Sequence, residues 1–113
     1  MEIITNKVSI TKLKELSAKM FGDLVKAVVD IEKGIMAIDG ELHADVQALL
    51  LENESKQENL WGINIYPDKT GQDFIEFDSV INIRPSQQNR SRGVDNPEIR
   101  KKVLEIVNEL IEK

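Results

Sequence analysis

Apolar residues recur along the chain with two spacings, one typical of helices and one typical of strands. In the first third, residues 1–5 predict a short edge strand. Apolar positions three and four residues apart then predict a helix that Thr11 caps and Gly22 ends. Two apolar runs at residues 24–31 and 35–38 predict a hairpin, because the three residues between them end in glycine and suit a tight loop.

The middle of the chain continues with a helix and a second hairpin. Residues 41–52 predict a short helix. Its expected buried residues are Leu42, Val46, Leu49 and Leu50. Every second residue is then apolar around Trp61, which predicts a half-buried strand with this tryptophan in the core. The alternation continues through residues 75–83, with a break at Ser79, until Pro85 closes the strand.

A third helix completes the pattern and decides the predicted fold class. Asn96 and Pro97 form a helix start, and an apolar stripe follows to the end of the chain. The order is (β)-α-β-β-α-β-β-α. Hairpins alternating with helices predict a single α+β domain over residues 1–113, with a mostly antiparallel sheet of four to five strands and about three helices on one face. A parallel sheet is excluded because two of the links are too short for crossovers.

Composition narrows the class of protein. The chain is 41% hydrophobic and 31% charged, as in ordinary globular proteins. It has no cysteine, so disulfides and thiolate chemistry are absent and a reducing compartment is favoured. No apolar run approaches the length of a membrane span, and the first residues do not resemble a signal peptide. These observations predict a cytoplasmic protein with no membrane partner.

Charge is unevenly divided along the chain. Twenty acids against 15 bases give a net charge of −5, which argues against nucleic acid as a partner. Residues 39–78 hold ten acids and two lysines, a local net charge of −8. Residues 84–102 hold six bases and two acids, a local net charge of +4, and include all four arginines. Arginine binds carboxylate and phosphate through paired hydrogen bonds, so this segment is a candidate for binding an anion.

Four segments carry a resemblance to a known family. They read AVVDIEKG at residues 27–34, GELHAD at 40–45, LWGINIYP at 60–67 and IRPSQ at 83–87. In combination they resemble a family of small uncharacterised prokaryotic proteins that is catalogued only as a domain of unknown function. The resemblance covers nearly the whole chain. It implies a one-domain protein and assigns no catalytic residue.

The strongest candidate site is the loop that runs from Arg84 to Asn96 and leads into the last helix. Its candidate anion-binding residues are Arg84, Ser86, Gln87, Asn89, Arg90 and Arg92. Guanidinium groups and helix N-termini both suit phosphate or carboxylate. No cofactor is predicted, since the loop has one glycine and no nucleotide-binding spacing. Alternatively, the arginines fold back onto the acidic surface of their own molecule.

A second candidate is the run Glu41, His43 and Asp45, which holds the only histidine. A carboxylate–imidazole–carboxylate set suits zinc or manganese if the segment is extended, because alternate residues then share a side. A helix starting here would separate the imidazole from the two carboxylates. In that case the acids favour the positive helix N-terminus, and the histidine is expected at the surface.

These observations predict a non-enzymatic binding or interaction module that receives an anionic group on the loop at residues 84–96. The expected partner is an anionic small molecule or another protein. One alternative is a small metal-dependent hydrolase that uses Asp30, Glu41, His43 and Asp45. Another is the acidic partner of a basic protein, as in a toxin–antitoxin pair, which rests on the acidic segment at residues 39–78.

Overall fold

A five-stranded sheet forms the centre of the computed structural model, which describes residues 1–113. The strands are β1 (Glu2–Ile4), β2 (Val8–Ser9), β3 (Val25–Asp30), β4 (Ile35–Ile38), β5 (Leu60–Ile65), β6 (Ile75–Glu76) and β7 (Ile111–Glu112). The helices are α1 (Ile10–Met20), α2 (His43–Glu52) and α3 (Pro97–Leu110). The sheet order is β1-β4-β3-β5-β6 with antiparallel neighbours, and β2 pairs with β7 in parallel. The predicted α+β class is confirmed. No helix combines the length and apolar character needed to cross a bilayer.

The first hairpin forms because its turn is held by a buried carboxylate. Asp30 ends β3, and its Oδ1 accepts hydrogen bonds from the backbone N–H groups of Glu32 and Lys33 at 2.9 and 3.0 Å. Its Oδ2 accepts from the Ser55 hydroxyl at 2.6 Å. Gly34 adopts a φ of 68°, which the tight return into β4 requires. The predicted hairpin is confirmed, with β4 covering the predicted residues.

Helices cover both faces of the sheet, so the prediction that they lie on one face is wrong. α1 and α3 pack on the face that carries Val29 and Trp61, within a cluster of 17 buried residues. α2 packs on the opposite face, where Val28, Val46 and Leu50 belong to a separate cluster of five. The β-branched run in β3 has no polar alternation because both of its faces are buried.

The predicted half-burial of β5 is also wrong, since all six of its residues are buried. One face lies under α1 and α3, and the other lies under α2 and the segment after β6. On this second face, the covering residues lie very close to the backbone of Gly62. A Cβ atom there would lie 2.7 Å from the Ser79 Cβ and 3.1 Å from the His43 Cδ2. The glycine therefore allows the polar segment to lie directly on the sheet.

The predicted strand over residues 75–83 is wrong beyond its first two residues. β6 ends at Glu76, and the chain continues through short 3-10 turns at Val80–Asn82 and Pro85–Gln87. The side chain of Asn82 takes the place of the missing strand. Its Oδ1 accepts from the Gly62 N–H at 2.8 Å, and its Nδ2 donates to the Gly62 carbonyl at 3.0 Å. The edge of β5 is therefore paired with an amide side chain instead of a backbone.

The helix starts differ from the prediction in two of three cases. Ser9, not Thr11, caps α1, because its hydroxyl accepts from the Lys12 N–H at 3.1 Å. α2 begins at His43, later than predicted, which leaves Leu42 exposed and turns the histidine inward. The predicted start of α3 is confirmed: the Asn96 side chain accepts from two backbone N–H groups of the first turn.

Candidate functional site

The side chain of Arg84 turns inward from its loop and is only 8% exposed. Its terminal nitrogens donate to the backbone carbonyls of Gln57 and Leu60, the second at 2.6 Å. The guanidinium carbon lies 4.0 Å from the centroid of the Trp61 ring, which is a cation–π distance. Arg84 therefore pairs with the edge of β5, as Asn82 does, and stacks on the buried tryptophan.

No carboxylate balances the buried charge of Arg84. The ion pairs of the structure are Lys12–Glu2, Lys14–Asp68 and Arg92–Asp78. Burial lowers the pKa of the Arg84 guanidinium below its ordinary value. The Nε of Arg84 and the Nε1 of Trp61 are both buried without a hydrogen-bond partner. The stacked pair thus carries one uncompensated cation and two N–H donors that no acceptor uses.

Asn89 holds the loop in its folded shape. Its Nδ2 donates to the carbonyls of Asn82 and Gly93 at 2.7 and 2.8 Å, and its Oδ1 accepts from the Asp95 N–H at 2.7 Å. Backbone hydrogen bonds in both directions also join Arg84 to Asn89. Because this asparagine is almost fully buried, it works as an internal brace for the residues around it.

The other predicted residues of the loop lie at its surface. Gln87 donates to the Glu58 carbonyl at 3.0 Å, and Arg92 pairs with Asp78 at 2.5 Å. Ser86 and Arg90 are exposed, and their side chains make no hydrogen bond or ion pair. The structure therefore brings Arg84 and Asn89 together in the interior and spreads the remaining four over the outside. Arg92 contacts the acidic segment of its own molecule.

A cleft of about 500 Å³ lies between this loop and the start of α3. Trp61, Gln87 and Asn89 line one part of it, and residues 95–99 line the other. Two carboxylates, Asp95 and Glu98, belong to that second part. A hydrogen bond from the Ser91 hydroxyl at 2.6 Å helps to hold the pKa of Asp95 below its ordinary value. The cleft therefore joins amide and indole groups, a helix N-terminus and negative charge.

A family model matches almost this whole fold. The model is described as a protein of unknown function (DUF5674), and it matches residues 2–110, from β1 through α3. The chain belongs to this family. The predicted resemblance is thereby confirmed. No curated protein and no solved structure matches the chain.

In this member of the family, the structure does not bring the second candidate set together. The His43 Nε2 lies 2.8 Å from the Ile63 carbonyl oxygen inside the core, while Glu41 and Asp45 are exposed. Asp30 accepts two hydrogen bonds from its own turn and one from the Ser55 hydroxyl. No group of three or more histidine, aspartate and glutamate side chains is arranged to hold a metal ion. The expected surface position of His43 is wrong, because α2 starts two residues later than predicted and His43 lies on its buried side with Val46 and Leu50.

Sequence reasoning missed two residues of this region. Asn82 fits the predicted alternation as an outward-facing residue between Ile81 and Ile83, so no local signal marks its pairing with Gly62. Trp61 was predicted in the core, which is confirmed, but its contact with Arg84 was not. No local pattern links two residues 23 positions apart, so only the fold could reveal that contact.

Proposed function

We propose that the protein is a non-enzymatic binding module that receives an anionic group in the cleft between the loop at residues 84–96 and the start of α3. The observation that carries this proposal is the buried guanidinium of Arg84, which has no carboxylate partner and an unused Nε–H donor. A buried charge is costly unless it is paired. Arg84 does not itself line the cleft, but it stacks on the ring of Trp61, which does. An oxyanion that entered the cleft and reached the Arg84 Nε would supply the missing counter-charge.

The neighbouring groups favour the same kind of ligand. The indole N–H of Trp61 offers a second unused donor beside the guanidinium. α3 begins at the other wall of the cleft, and the positive end of a helix dipole favours negative charge. Planar guanidinium binds carboxylate and phosphate better than an ammonium does, because it presents paired donors. The terminal nitrogens of Arg84 already donate to the Gln57 and Leu60 carbonyls, so an oxyanion here would use the Arg84 Nε–H together with the Trp61 N–H.

The negative charge of the other wall limits which anions the cleft can bind. Asp95 and Glu98 repel a highly charged anion that enters the cleft. The site is suited to a small molecule with one carboxylate or phosphate group, directed towards Arg84, and a neutral or cationic remainder near the two acids. A nucleotide polyphosphate fits this arrangement poorly.

The single tryptophan of the chain makes a direct test possible. Its indole N–H is one resonance in a nitrogen–proton correlation spectrum, and it belongs to the residue that stacks on Arg84. We expect acetate and inorganic phosphate to shift this resonance and the amides of residues 87–99 in a saturable way at about 0.15 M salt. An indole resonance that does not move under saturating anion would overturn the proposal.

Arg90 and Arg92 define the other place where this loop could hold an anion. Because both are exposed, the double change Arg90→Ala and Arg92→Ala is expected to alter stability by about 1 kcal/mol or less. If the anion binds in the cleft, the double variant should still show the anion-induced shift of the Trp61 indole resonance. Loss of all anion-induced shifts in the double variant would place the anion on the surface arginines instead. Shifts that vanish by about 0.15 M salt would mean screened surface charge and no specific site.

A further inference from the structure

A second groove, of about 700 Å³, lies on the other side of α3, between that helix and β6. Phe74, Ile75 and Phe77 form the apolar wall from the β6 segment. Arg100, Leu104 and Lys113 line the groove from α3 and the residues that follow it. No carboxylate side chain lines it, although the whole chain carries a net charge of −5. The groove is therefore a basic and apolar site on an acidic molecule.

Both cations are held against aromatic rings and make no ion pair. The guanidinium carbon of Arg100 lies 4.8 Å from the Phe77 ring centroid, and the Lys113 Nζ lies 4.4 Å from the Phe74 ring centroid. Neither residue belongs to any of the ion pairs. Stacking restricts where the two charges can lie, so each is already positioned for an incoming carboxylate.

The groove residues of α3 lie on one side of the helix, and a cation stands at each end of this row. Arg100, Leu104 and Asn108 line the groove at intervals of four residues, which places them on one side of the helix. At 1.5 Å per residue, Asn108 lies roughly 12 Å along the axis from Arg100. Lys113 lies beyond the helix end at Leu110. The groove therefore has a cation at each end and the exposed Leu104 between them.

The edge of β6 beside the groove is unpaired. The Tyr66 N–H donates to the Phe74 carbonyl at 2.9 Å, and Asn64 lies opposite Glu76. Because backbone groups in an antiparallel pair alternate in direction, the N–H and C=O of Ile75 point away from β5. β6 is the last strand of the sheet, so no strand of this chain pairs with that edge. An extended chain could add to it by backbone hydrogen bonds.

We propose that this groove binds an extended peptide segment of another protein, with an acidic side chain at each end and an apolar side chain between them. About five residues in extended conformation span roughly 13 Å, comparable to the roughly 12 Å of α3 from Arg100 to Asn108. Lys113 follows the helix and brings its Nζ over the Phe74 ring at that end of the groove. Alternate side chains face the same side, so acids at the first and fifth positions and an apolar residue at the third would all enter the groove. The acids meet Arg100 and Lys113, and the apolar residue packs on Leu104 and Phe77.

The test uses an acetylated, amidated probe peptide of about five residues, with glutamate at both ends, leucine in the centre and threonine between. At about 0.15 M salt, we expect saturable amide shifts over residues 71–77 and 100–113. The Trp61 indole resonance should not move, because Trp61 does not line this groove. A peptide that shifts other residues instead would overturn the proposal. This outcome is independent of the anion titration of the first cleft.

Three matched comparisons decide whether the recognition is specific. Replacing both glutamates of the peptide by glutamine should weaken binding by about tenfold or more, because both charge pairs are lost. A peptide of the same composition with its leucine moved to one end should bind similarly weakly. Equal binding of the three peptides would overturn the proposal. Inorganic phosphate that shifts the same residues as strongly as the peptide would also overturn it, since the groove would then hold only an isolated anion.

Two variants of the protein complete the experiment. Leu104→Glu places a carboxylate in the middle of the groove and should abolish peptide binding. Leu104 is 37% exposed, so folding should tolerate the change. Val80→Glu is the control, since Val80 is 64% exposed and lies in the turn that contacts α2 on the opposite face of the sheet. Should Leu104→Glu fail to fold, Arg100→Gln replaces it. Wild-type affinity in the folded groove variant would overturn the proposal.

Discussion

Asn82 occupies the position beside Gly62 where a neighbouring strand ordinarily lies. Its amide satisfies both backbone groups of the glycine, and its Nδ2 also donates to the Arg92 carbonyl at 2.9 Å. Arg84 does the same for the Leu60 carbonyl, and Asn89 braces the loop that carries both. At the scale of the residue, two buried polar side chains therefore replace the regular backbone ladder beyond Glu76, and a third, Asn89, holds the loop that carries them.

The change Asn82→Ala tests this replacement. It leaves the N–H and C=O of Gly62 buried without partners, so we expect a loss of about 3 kcal/mol in the free energy of unfolding. Asn6→Ala is the matched control, because Asn6 is exposed and makes no side-chain hydrogen bond. Urea unfolding of both variants measures the difference. Equal stabilities would mean that water or a shifted backbone pairs with Gly62 as well as Asn82 does.

His43 makes stability depend on pH. Burial lowers the pKa of its imidazole below the ordinary value of 6.5 and outweighs the hydrogen bond to the Ile63 carbonyl, which raises it. The charges of Lys26, Asp78 and Arg92 have smaller effects. Since the unfolded chain binds the proton more readily, stability from the neutral imidazole is complete above about pH 6.5. It falls as the pH drops from that value towards the lowered pKa of the folded state.

The variant His43→Gln should remove this dependence. A glutamine amide can still donate to the Ile63 carbonyl, but it does not titrate between pH 5 and 7. We expect urea midpoints of the wild type to fall more than those of the variant between about pH 7.5 and pH 5.5. The carboxylates titrate in both proteins and cancel in the comparison. Parallel pH profiles would show that His43 keeps an ordinary pKa in the folded protein.

At the scale of the element, α3 shows which side of a helix carries its stability. Val103, Val107 and Leu110 are buried, whereas Ile99 and Ile106 are only partly buried against the same cluster. The sequence predicts an apolar stripe along this helix, and the buried centre of the stripe runs through Val103, Val107 and Leu110, with Ile99 and Ile106 at its margin. The helix therefore faces the sheet mainly through its valines.

The loss of stability caused by a substitution on α3 should depend on how deeply this orientation buries the side chain. Val107→Asp buries an unpaired carboxylate, which costs several kcal/mol against a typical total of about 5–15 kcal/mol, and should prevent folding. Ile106→Asp should be strongly destabilising but less so, since its side chain can reach water. Glu109→Ala should have almost no effect. Thermal unfolding followed by circular dichroism ranks the three, and a larger loss for Ile106→Asp than for Val107→Asp would mean a rotated helix.

At the scale of the whole molecule, one sheet separates two hydrophobic clusters of very different size. The larger contains Trp61 and lies under α1 and α3, and the smaller contains Leu50 and lies under α2. Both clusters take residues from β3, so loss of this strand would disrupt both sides of the sheet at once. This coupling supports the prediction that residues 1–113 form one cooperative domain.

The variant Leu50→Ala tests that coupling from the far side of the sheet. Removing this fully buried side chain should cost about 3 kcal/mol. The loss should appear equally in Trp61 fluorescence, which reports the opposite face, and in circular dichroism, which reports the whole chain. Leu13→Ala on the α1 side serves as the comparison. Separate midpoints for the two signals would divide the molecule into two units that unfold independently.

Local sequence patterns were sufficient to predict the elements that are determined by residues close together in the chain. The hairpin of β3 and β4 follows from two apolar runs around a glycine turn, and the start of α3 follows from Asn96 and Pro97. The α+β class follows from the order of these elements and from links too short for parallel crossovers. The concentration of all four arginines after residue 83 was equally plain from the chain alone.

Everything that depends on what covers a surface was decided by the tertiary structure. Alternation in β5 predicted one buried face, but Gly62 and Asn64 are buried too because the polar segment after β6 lies on them. Arg84 looked like a surface donor in sequence, and it became a buried, stacked cation because the edge of β5 lacked a partner. Sequence periodicity indicates which side of an element is apolar, but it does not indicate what packs against the other side. A buried polar contact between distant residues exists only once the chain has folded.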